Sequence, residues 1–327
     1  MKKKIFITGG AGYVGCSLVD QLIEKNYDVT VLDLCLYGDD VFNDKSKVNL
    51  IKGDIRDQKL LEESLPGHYA VIHLACISND PSFELNPFLG KSINLDAFEP
   101  IIKISKESGI SRFIYASSSS VYGIKEDMNV TENVKLEPIT DYSKFKAQCE
   151  EICLKYSSKD FITTIIRPAT VCGFSKRQRF DLVVNILTNL GVNTGQITVF
   201  GGKQLRPNIH INDMIDAYIN ILEQEEKKVN SKIYNVGYEN QPVLELANLV
   251  KKNIEKKVEI ILTETDDNRS YHISSDKIRN ELDFINKYTI KDAIIGIKNA
   301  FKRNEYIDSL NNDIYFNVKM MKKINLK

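Results

Sequence analysis

The chain is poor in features that would point away from a globular enzyme. Its 44 Lys and Arg balance 44 Asp and Glu over 327 residues, so no overall field draws it to nucleic acid or to acidic lipid. Any anion it binds must be held by local groups. No stretch approaches the roughly 18 to 20 apolar residues needed to cross a bilayer, which predicts a soluble protein with no membrane partner. The opening Lys2-Lys3-Lys4-Ile5-Phe6-Ile7-Thr8-Gly9 starts like a signal peptide, but its apolar run breaks at glycine and reads as a strand. The six cysteines (Cys16, Cys35, Cys76, Cys149, Cys153, Cys172) include no close Cys-x-x-Cys pair and read as reduced thiols of a cytoplasmic protein. None of the four histidines is spaced with another His or Cys as in a metal site, so no metal is expected. Internal repeats and low-complexity blocks are also missing.

What is present is enough apolar sequence, 43% of residues, to bury a large core as one α/β domain or a domain plus a lobe. Short β-branched runs alternate with amphipathic stretches: Lys4–Thr8, Val14–Lys25, Asp28–Asp33, Val48–Lys52, Gln58–Leu65, Ala70–Ala75, Leu85–Glu107 and Arg112–Ser117. This βαβα order predicts a Rossmann-like, doubly wound parallel sheet. A helix over Asp141–Tyr156 and a strand over Phe161–Arg167 continue it. After Pro168 the order changes, and short strands (Thr198–Phe200, Lys232–Asn235, Val258–Leu262) and helices (Asp181–Leu190, Asn212–Gln224, Leu244–Lys252) predict a smaller C-terminal α/β substrate lobe. The expected organisation is a dinucleotide domain over 1–169, a lobe over 170–308 with some segments returning to the first domain, and a polar, basic tail over 309–327.

Directly after the first strand comes Thr8-Gly9-Gly10-Ala11-Gly12-Tyr13-Val14-Gly15. Gly9, Gly12 and Gly15 permit a tight strand-to-helix turn and let the backbone, with Tyr13 and Val14, approach a pyrophosphate at the helix N-terminus. Asp33 ends the next strand, where an acid accepts from ribose hydroxyls and repels a 2′-phosphate, favouring NAD over NADP. A structural glycine turn with a surface acid is the plainer alternative. Asp54, followed by Ile55, lies after the third strand, where it would meet the adenine amino group or simply cap a helix. Leu74 and Ala75 follow the fourth strand, where small residues would let a cofactor lie against the sheet; His73 itself reads as a packed core histidine.

Tyr142 and Lys146 are four apart at the start of a helix and share one face. Such pairs also arise by chance, and Tyr315/Lys319 is another; context separates them. Tyr142 follows the fifth strand, whose end carries Ser117-Ser118-Ser119-Ser120 at the carboxyl edge where open α/β sheets bind ligands. A phenol is a poor base at neutral pH, but an adjacent ammonium and an oxidised nicotinamide both favour the phenolate. A tyrosine so tuned exchanges a proton with a sugar hydroxyl, and a strand-end serine holds that hydroxyl in line.

These residues, in this order, resemble the extended short-chain dehydrogenase/reductases, in the NAD-dependent nucleotide-sugar epimerase/dehydratase branch that includes UDP-glucose 4-epimerase-like enzymes. The resemblance covers nearly the whole chain. It implies that Gly9, Gly12 and Gly15 flank the NAD pyrophosphate, Asp33 binds ribose, Asp54 and Ile55 meet adenine and Asn94 supports the cofactor side. It further implies Tyr142 as acid/base, Lys146 as its activator and nicotinamide-ribose ligand, and Ser118 as the hydroxyl-binding serine. In the C-terminal lobe, Arg206-Pro207-Asn208-Ile209-His210 resembles the segment whose arginine grips the sugar-nucleotide diphosphate, with Arg269 as a second phosphate ligand. Surface salt bridges are the competing reading for both. Arg177 and Arg179 add charge beside the cleft or are simply solvated. A homodimer is implied through the helices over Leu85–Glu107 and Asp141–Tyr156.

Two positions depart from the family pattern. Dehydratases of the family place Asp-Glu where this chain has Ser119 and Ser120, and Thr170 stands where many members have a substrate-contacting Asn. The expected activity is therefore epimerisation by transient oxidation at carbon 4 of a nucleotide-diphosphate sugar. Net 4-dehydrogenation or 4-keto reduction, for example of a GDP-linked sugar in surface polysaccharide synthesis, is the alternative, ahead of 4,6-dehydration and of a non-catalytic NAD-binding protein.

Overall fold

The computed structural model describes residues 2–125, 129–265, 270 and 272–324. Six β-branched runs form strands β1 (Lys4–Thr8), β2 (Asp28–Asp33), β3 (Val48–Lys52), β4 (Ala70–His73), β5 (Arg112–Ala116) and β6 (Ile162–Pro168). Between them lie α1 (Tyr13–Glu24), α2 (Gln58–Ser64), α3 (Asp80–Phe83), α4 (Pro87–Lys91), α5 (Phe98–Glu107) and α6 (Asp141–Tyr156). Several helix starts are written in the sequence. Asp57 accepts from the Leu60 amide to cap α2, and Thr140 with Ser143 forms a reciprocal capping box on α6. Helix α1 starts after Gly12, and no side chain caps its first turn.

The helix expected over Leu85–Glu107 starts at Pro87 and is interrupted by a π-helical turn at Ser92–Asp96 between α4 and α5. The bulge turns Asn94 inward, where its side chain accepts from the Ile77 amide (2.8 Å) and donates to the Ile77 carbonyl (3.0 Å).

The later part of the chain adds β7 (Thr170–Cys172), β8 (Gln196–Phe200), β9 (Leu205–His210), β10 (Lys232–Val236), β11 (Glu239–Pro242) and β12 (Glu259–Thr263). Its helices are α7 (Val183–Asn193), α8 (Ile211–Glu223), α9 (Glu226–Val229), α10 (Val243–Asn253), α11 (Asp276–Leu282), α12 (Ile290–Lys302) and α13 (Asn317–Ile324). The large sheet runs β10-β6-β5-β4-β1-β2-β3 with every pairing parallel, flanked by a β11-β9-β7 sheet and a β12-β8 pair in the second lobe. The strand expected over Lys232–Asn235 in the smaller lobe is β10, which joins the large sheet beside β6, with Tyr234 and Val236 wholly buried.

Strand alternation sorts the core onto the two faces of this sheet. Ile5, Ile7, Val29 and Val31 pack with α1 and α8, whereas Phe6, Leu32 and Val71 pack with α5 and α6. A third cluster, including Val184, Leu187, Leu246 and Ile294, holds the second lobe. The order reverses between β1 and β4, opening a crevice at their carboxyl ends.

Among the described residues, the polar stretch toward the end of the chain packs on the second lobe and on α3. Tyr306 and Tyr315 pack on Phe180 at ring separations of 5.0 and 5.2 Å, and α13 returns toward α3 with Asn317 only 4% exposed. A few aromatic side chains anchor a segment whose average composition is polar, which is why composition alone misplaces it.

Candidate active site

A cleft of about 390 Å³ lies at the switch point. The glycine turn between β1 and α1 forms its floor. Gly9 adopts φ +74, and a Cβ there would lie 2.6 Å from the Ala75 amide nitrogen; a Cβ on Gly15 would lie 2.4 Å from the Gly9 carbonyl. No other residue type fits this turn without moving backbone. The turn leaves the uncapped N-terminus of α1 facing the cleft, an arrangement suited to a phosphate.

Asp33 stands at the end of β2. Its Oδ2 accepts from the Ala11 amide (3.0 Å) and its Oδ1 from the Cys35 amide (2.7 Å), which fixes the carboxylate at the rim of the turn. Burial raises its pKa, opposed by those two amides and by the Arg177 guanidinium. Asp54 is engaged with Arg56, whose Nη2 donates at 2.6 Å. Burial raises the Asp54 pKa but the Arg56 contacts outweigh it, leaving the carboxyl below its ordinary value. The cap of α2 is Asp57, so the helix-capping alternative for Asp54 is set aside. Ile55, Leu74, Ala75, Tyr13 and Val14 line the cleft, while Asn94 acts from behind it through Ile77.

At the carboxyl end of β5, Ser118, Ser119 and Ser120 face Tyr142 and Lys146 of α6 across the same cleft. Ser118 Oγ lies 2.8 Å from Ser120 Oγ and accepts from the Ser120 amide. Lys146 donates from Nζ to the Ala116 carbonyl at 2.6 Å and stands 5.9 Å from the Tyr142 ring centroid. Burial raises the Tyr142 pKa well above its ordinary value, reinforced by Cys76 and Asp80 and opposed by Arg179 and the Ser118 hydroxyl. Arg179 is a cation whose field favours the phenolate, and the Lys146 ammonium stands on the same cleft beside the Tyr142 ring. His73 is a core residue, bonded to Thr8 Oγ1 at 2.7 Å and pushed down to about 3 by burial and by Lys146.

The arginines fall differently from their sequence reading. Arg177 and Arg179 are not solvated: they are 4% and 8% exposed. Arg179 forks onto Asp181 (Nε to Oδ1 2.8 Å, Nη2 to Oδ2 3.1 Å) and reaches Ser78 Oγ with Nη1 (3.1 Å). Both arginines line the cleft together with Thr170. Arg206 lies on β9, paired in register with Gln241, outside the lining of this cleft, and its Nη1 donates to the Leu205 carbonyl. Its strand belongs to the second lobe's sheet, which holds that side chain away from the glycine turn. Arg269 lies outside the described residues.

Sequence reading passed over Tyr37, Ser78, Asp80, Asn317 and Met321, all of which line the cleft. Asp80 accepts from Thr140 Oγ1 at 2.5 Å. None carries a local motif; each arrives through tertiary packing.

The residues present fit an extended dinucleotide. Gly9 and Gly15 of the turn admit no side chain, Asp33 stands at the end of β2 beside it, and Arg177 leaves Nε and Nη1 buried with no hydrogen-bond partner. When bound, NAD would lie between Asp33 and Tyr142.

Comparison with known proteins agrees with this arrangement. Residues 5–237 match the model of the NAD dependent epimerase/dehydratase family. The chain is 29% identical over 269 residues to UDP-glucose 4-epimerase of Lactobacillus helveticus, covering 76% of this chain and 81% of that protein. It is 29% identical over 306 residues to a putative UDP-glucose 4-epimerase of Methanocaldococcus jannaschii, covering 92% and 99%. Among solved structures, UDP-glucose 4-epimerase of Thermotoga maritima with UDP-glucose superposes with a TM-score of 0.82 at 23% identity, over 93% of this chain and all (100%) of that one, a likeness of fold. With its glycine turn, its Asp33 and its Tyr142 and Lys146 on one cleft, the chain belongs to the NAD dependent epimerase/dehydratase family.

Proposed function

We propose that the protein epimerises a nucleotide-diphosphate sugar at carbon 4, with Tyr142 as acid/base. The observation that carries this reading is the placement of Ser118, Tyr142 and Lys146 on the same cleft as the glycine turn, with hydroxyls rather than carboxylic acids at Ser119 and Ser120. When bound, NAD supplies the reversible two-electron oxidation of the sugar carbon. The chain's part is to move one proton and to hold the sugar. Tyr142, as phenolate, accepts the proton of the sugar hydroxyl and later returns it. Ser118, already a partner of that phenol, orients the hydroxyl toward it. Arg179 stabilises the phenolate through its field, and Lys146 ties the start of α6 to the end of β5 so that base and serine keep their spacing. Leu182, Met214 and Tyr218 add apolar lining to the cleft and limit water around the reacting carbon.

Relatives with the name UDP-glucose 4-epimerase support a UDP-hexose as the first substrate to try. Asp80 favours a second reading. It is a carboxyl group on the cleft near Tyr142, in a chain that lacks the dehydratase acids beside Ser118, and a carboxyl is the kind of group that assists the departure of a sugar hydroxyl. The purified protein, given nucleotide-hexoses one at a time, should convert one of them to its 4-epimer by NMR without lasting absorbance from reduced cofactor. A 4-keto-6-deoxy product would replace epimerisation by elimination. Stoichiometric reduced cofactor with a keto sugar, cycling only with an external oxidant, would make the protein a net dehydrogenase.

A further inference from the structure

The segment Gly173–Asp181 is fastened to the start of α1. Tyr13 donates from its hydroxyl to the Gly173 carbonyl (2.7 Å), and Ser175 Oγ donates to the Tyr13 carbonyl (2.8 Å). Lys176 extends the attachment to the Phe42 carbonyl (3.0 Å). Arg177, two residues beyond Ser175, is thereby held on the lining of the same cleft as the glycine turn. Its guanidinium stacks 3.6 Å from the Tyr37 ring centroid and acts on Asp33. Arg179 continues toward Ser78 and the field of Tyr142. The two arginines therefore line the cleft between Asp33 and Tyr142.

Their charges are not equivalent. Arg179 has its fork met by the Asp181 carboxylate. Arg177 is not so paired: only Nη2 has a bond, to Asn317 Oδ1 at 2.6 Å, while Nε and Nη1 are buried without partners. A sealed guanidinium with two orphan donors is costly unless something meets them. In a cleft for NAD, the group of opposite charge between adenosine and nicotinamide is the diphosphate, and a guanidinium fork matches phosphate oxygens. Asn317 does more than hold Arg177. Its backbone amide donates to Asp181 Oδ2 (3.0 Å) and its Nδ2 to Ser78 Oγ (2.9 Å), so one residue of α13 touches the partners of both arginines.

We infer that Arg177 is a ligand of the cofactor diphosphate on the side opposite the glycine turn, and that Asn317 positions it, making the C-terminal helix a clasp on the dinucleotide. This rests on the binding of NAD in the cleft. A firmly clasped cofactor suits a reaction in which the same molecule is reduced and reoxidised without leaving.

The test uses the full-length protein stripped of nucleotide and titrated calorimetrically with adenosine, ADP-ribose, NAD and UDP. Arg177→Gln should weaken ADP-ribose and NAD together by about tenfold to a hundredfold, the worth of a charge-assisted hydrogen bond, and leave adenosine within about twofold. Arg177→Lys, which keeps the charge, should retain more of the ADP-ribose affinity than Arg177→Gln. Asn317→Asp, which sets a carboxylate against Arg177, should also weaken ADP-ribose without lowering the melting temperature. Unchanged ADP-ribose binding in folded Arg177→Gln overturns the assignment. So does equal loss of adenosine and ADP-ribose, which marks a structural residue, or a loss confined to UDP, which marks a substrate ligand. Wild-type protein that binds none of the adenine nucleotides would remove the dinucleotide reading itself, a different failure.

Discussion

Glu150 and Arg167 form an ion pair behind the reacting end of the cleft, with Arg167 Nη2 2.6 Å from Glu150 Oε2 and both side chains 3% exposed. Glu150 also accepts from Ser117 Oγ, the residue before Ser118, and Arg167 donates from Nη1 to the Tyr122 hydroxyl (2.8 Å). The pair joins α6, which carries Tyr142 and Lys146, to the ends of β5 and β6.

Breaking that pair from one side should be severe. Glu150→Ala leaves a buried guanidinium unpaired and is expected to lower unfolding free energy by about 3 to 5 kcal/mol. Urea denaturation of the variant measures it, and a loss below about 1 kcal/mol would mean that water or another carboxylate replaces Glu150.

Tyr142→Phe should keep its NAD and its fold while losing turnover by about a hundredfold or more, the usual contribution of a positioned acid/base. Single-turnover kinetics with the identified sugar nucleotide, beside a measurement of bound cofactor, separates the two effects. Near-normal turnover would take Tyr142 out of the mechanism.

The Tyr142 phenol is held above its ordinary pKa by burial, and the Arg179 guanidinium pulls it down. Turnover that needs the phenolate should therefore rise with pH. Arg179→Gln removes the cation, favours the protonated phenol and should move the rising limb of kcat to higher pH; Arg179→Lys should move it less. A limb at the same pH in wild type and Arg179→Gln would show that another group governs it.

His73 is pushed down to about 3 against an ordinary value of 6.5, and burial is the main cause. Between those values the unfolded chain binds a proton that the folded chain refuses, so stability falls as pH drops below 6.5 and continues to fall toward 3. The slope from this residue is about 1.4 kcal/mol per pH unit. His210, lowered to about 4, acts in the same direction. His73→Gln should flatten the dependence of urea midpoint on pH between 6 and 4, whatever it does to absolute stability; an unchanged slope would assign acid sensitivity elsewhere.

Much of the fold was legible because it is written in local patterns. Glycines between a strand and a helix, Asp33 at the next strand end and Tyr142 with Lys146 one helical turn apart are short-range signals, since each depends on backbone geometry within a few residues. The alternation of β-branched runs with amphipathic stretches located the parallel strands for the same reason. Cap residues such as Thr140 and Asp57 set helix starts directly.

What only the tertiary structure decided is how distant polar residues share charge. Arg177 and Arg179 look like a solvated basic stretch until Tyr13 and Ser175 bind that segment to the glycine turn. Asn317 carries no motif and sits in a polar stretch, yet it is buried between Arg177, Ser78 and Asp181. Periodicity records which face of an element meets the core, but a hydrogen bond between residues 140 positions apart leaves no trace in either neighbourhood. The family followed from the sequence; the polar contacts among Arg177, Arg179 and Asn317 followed from the packing.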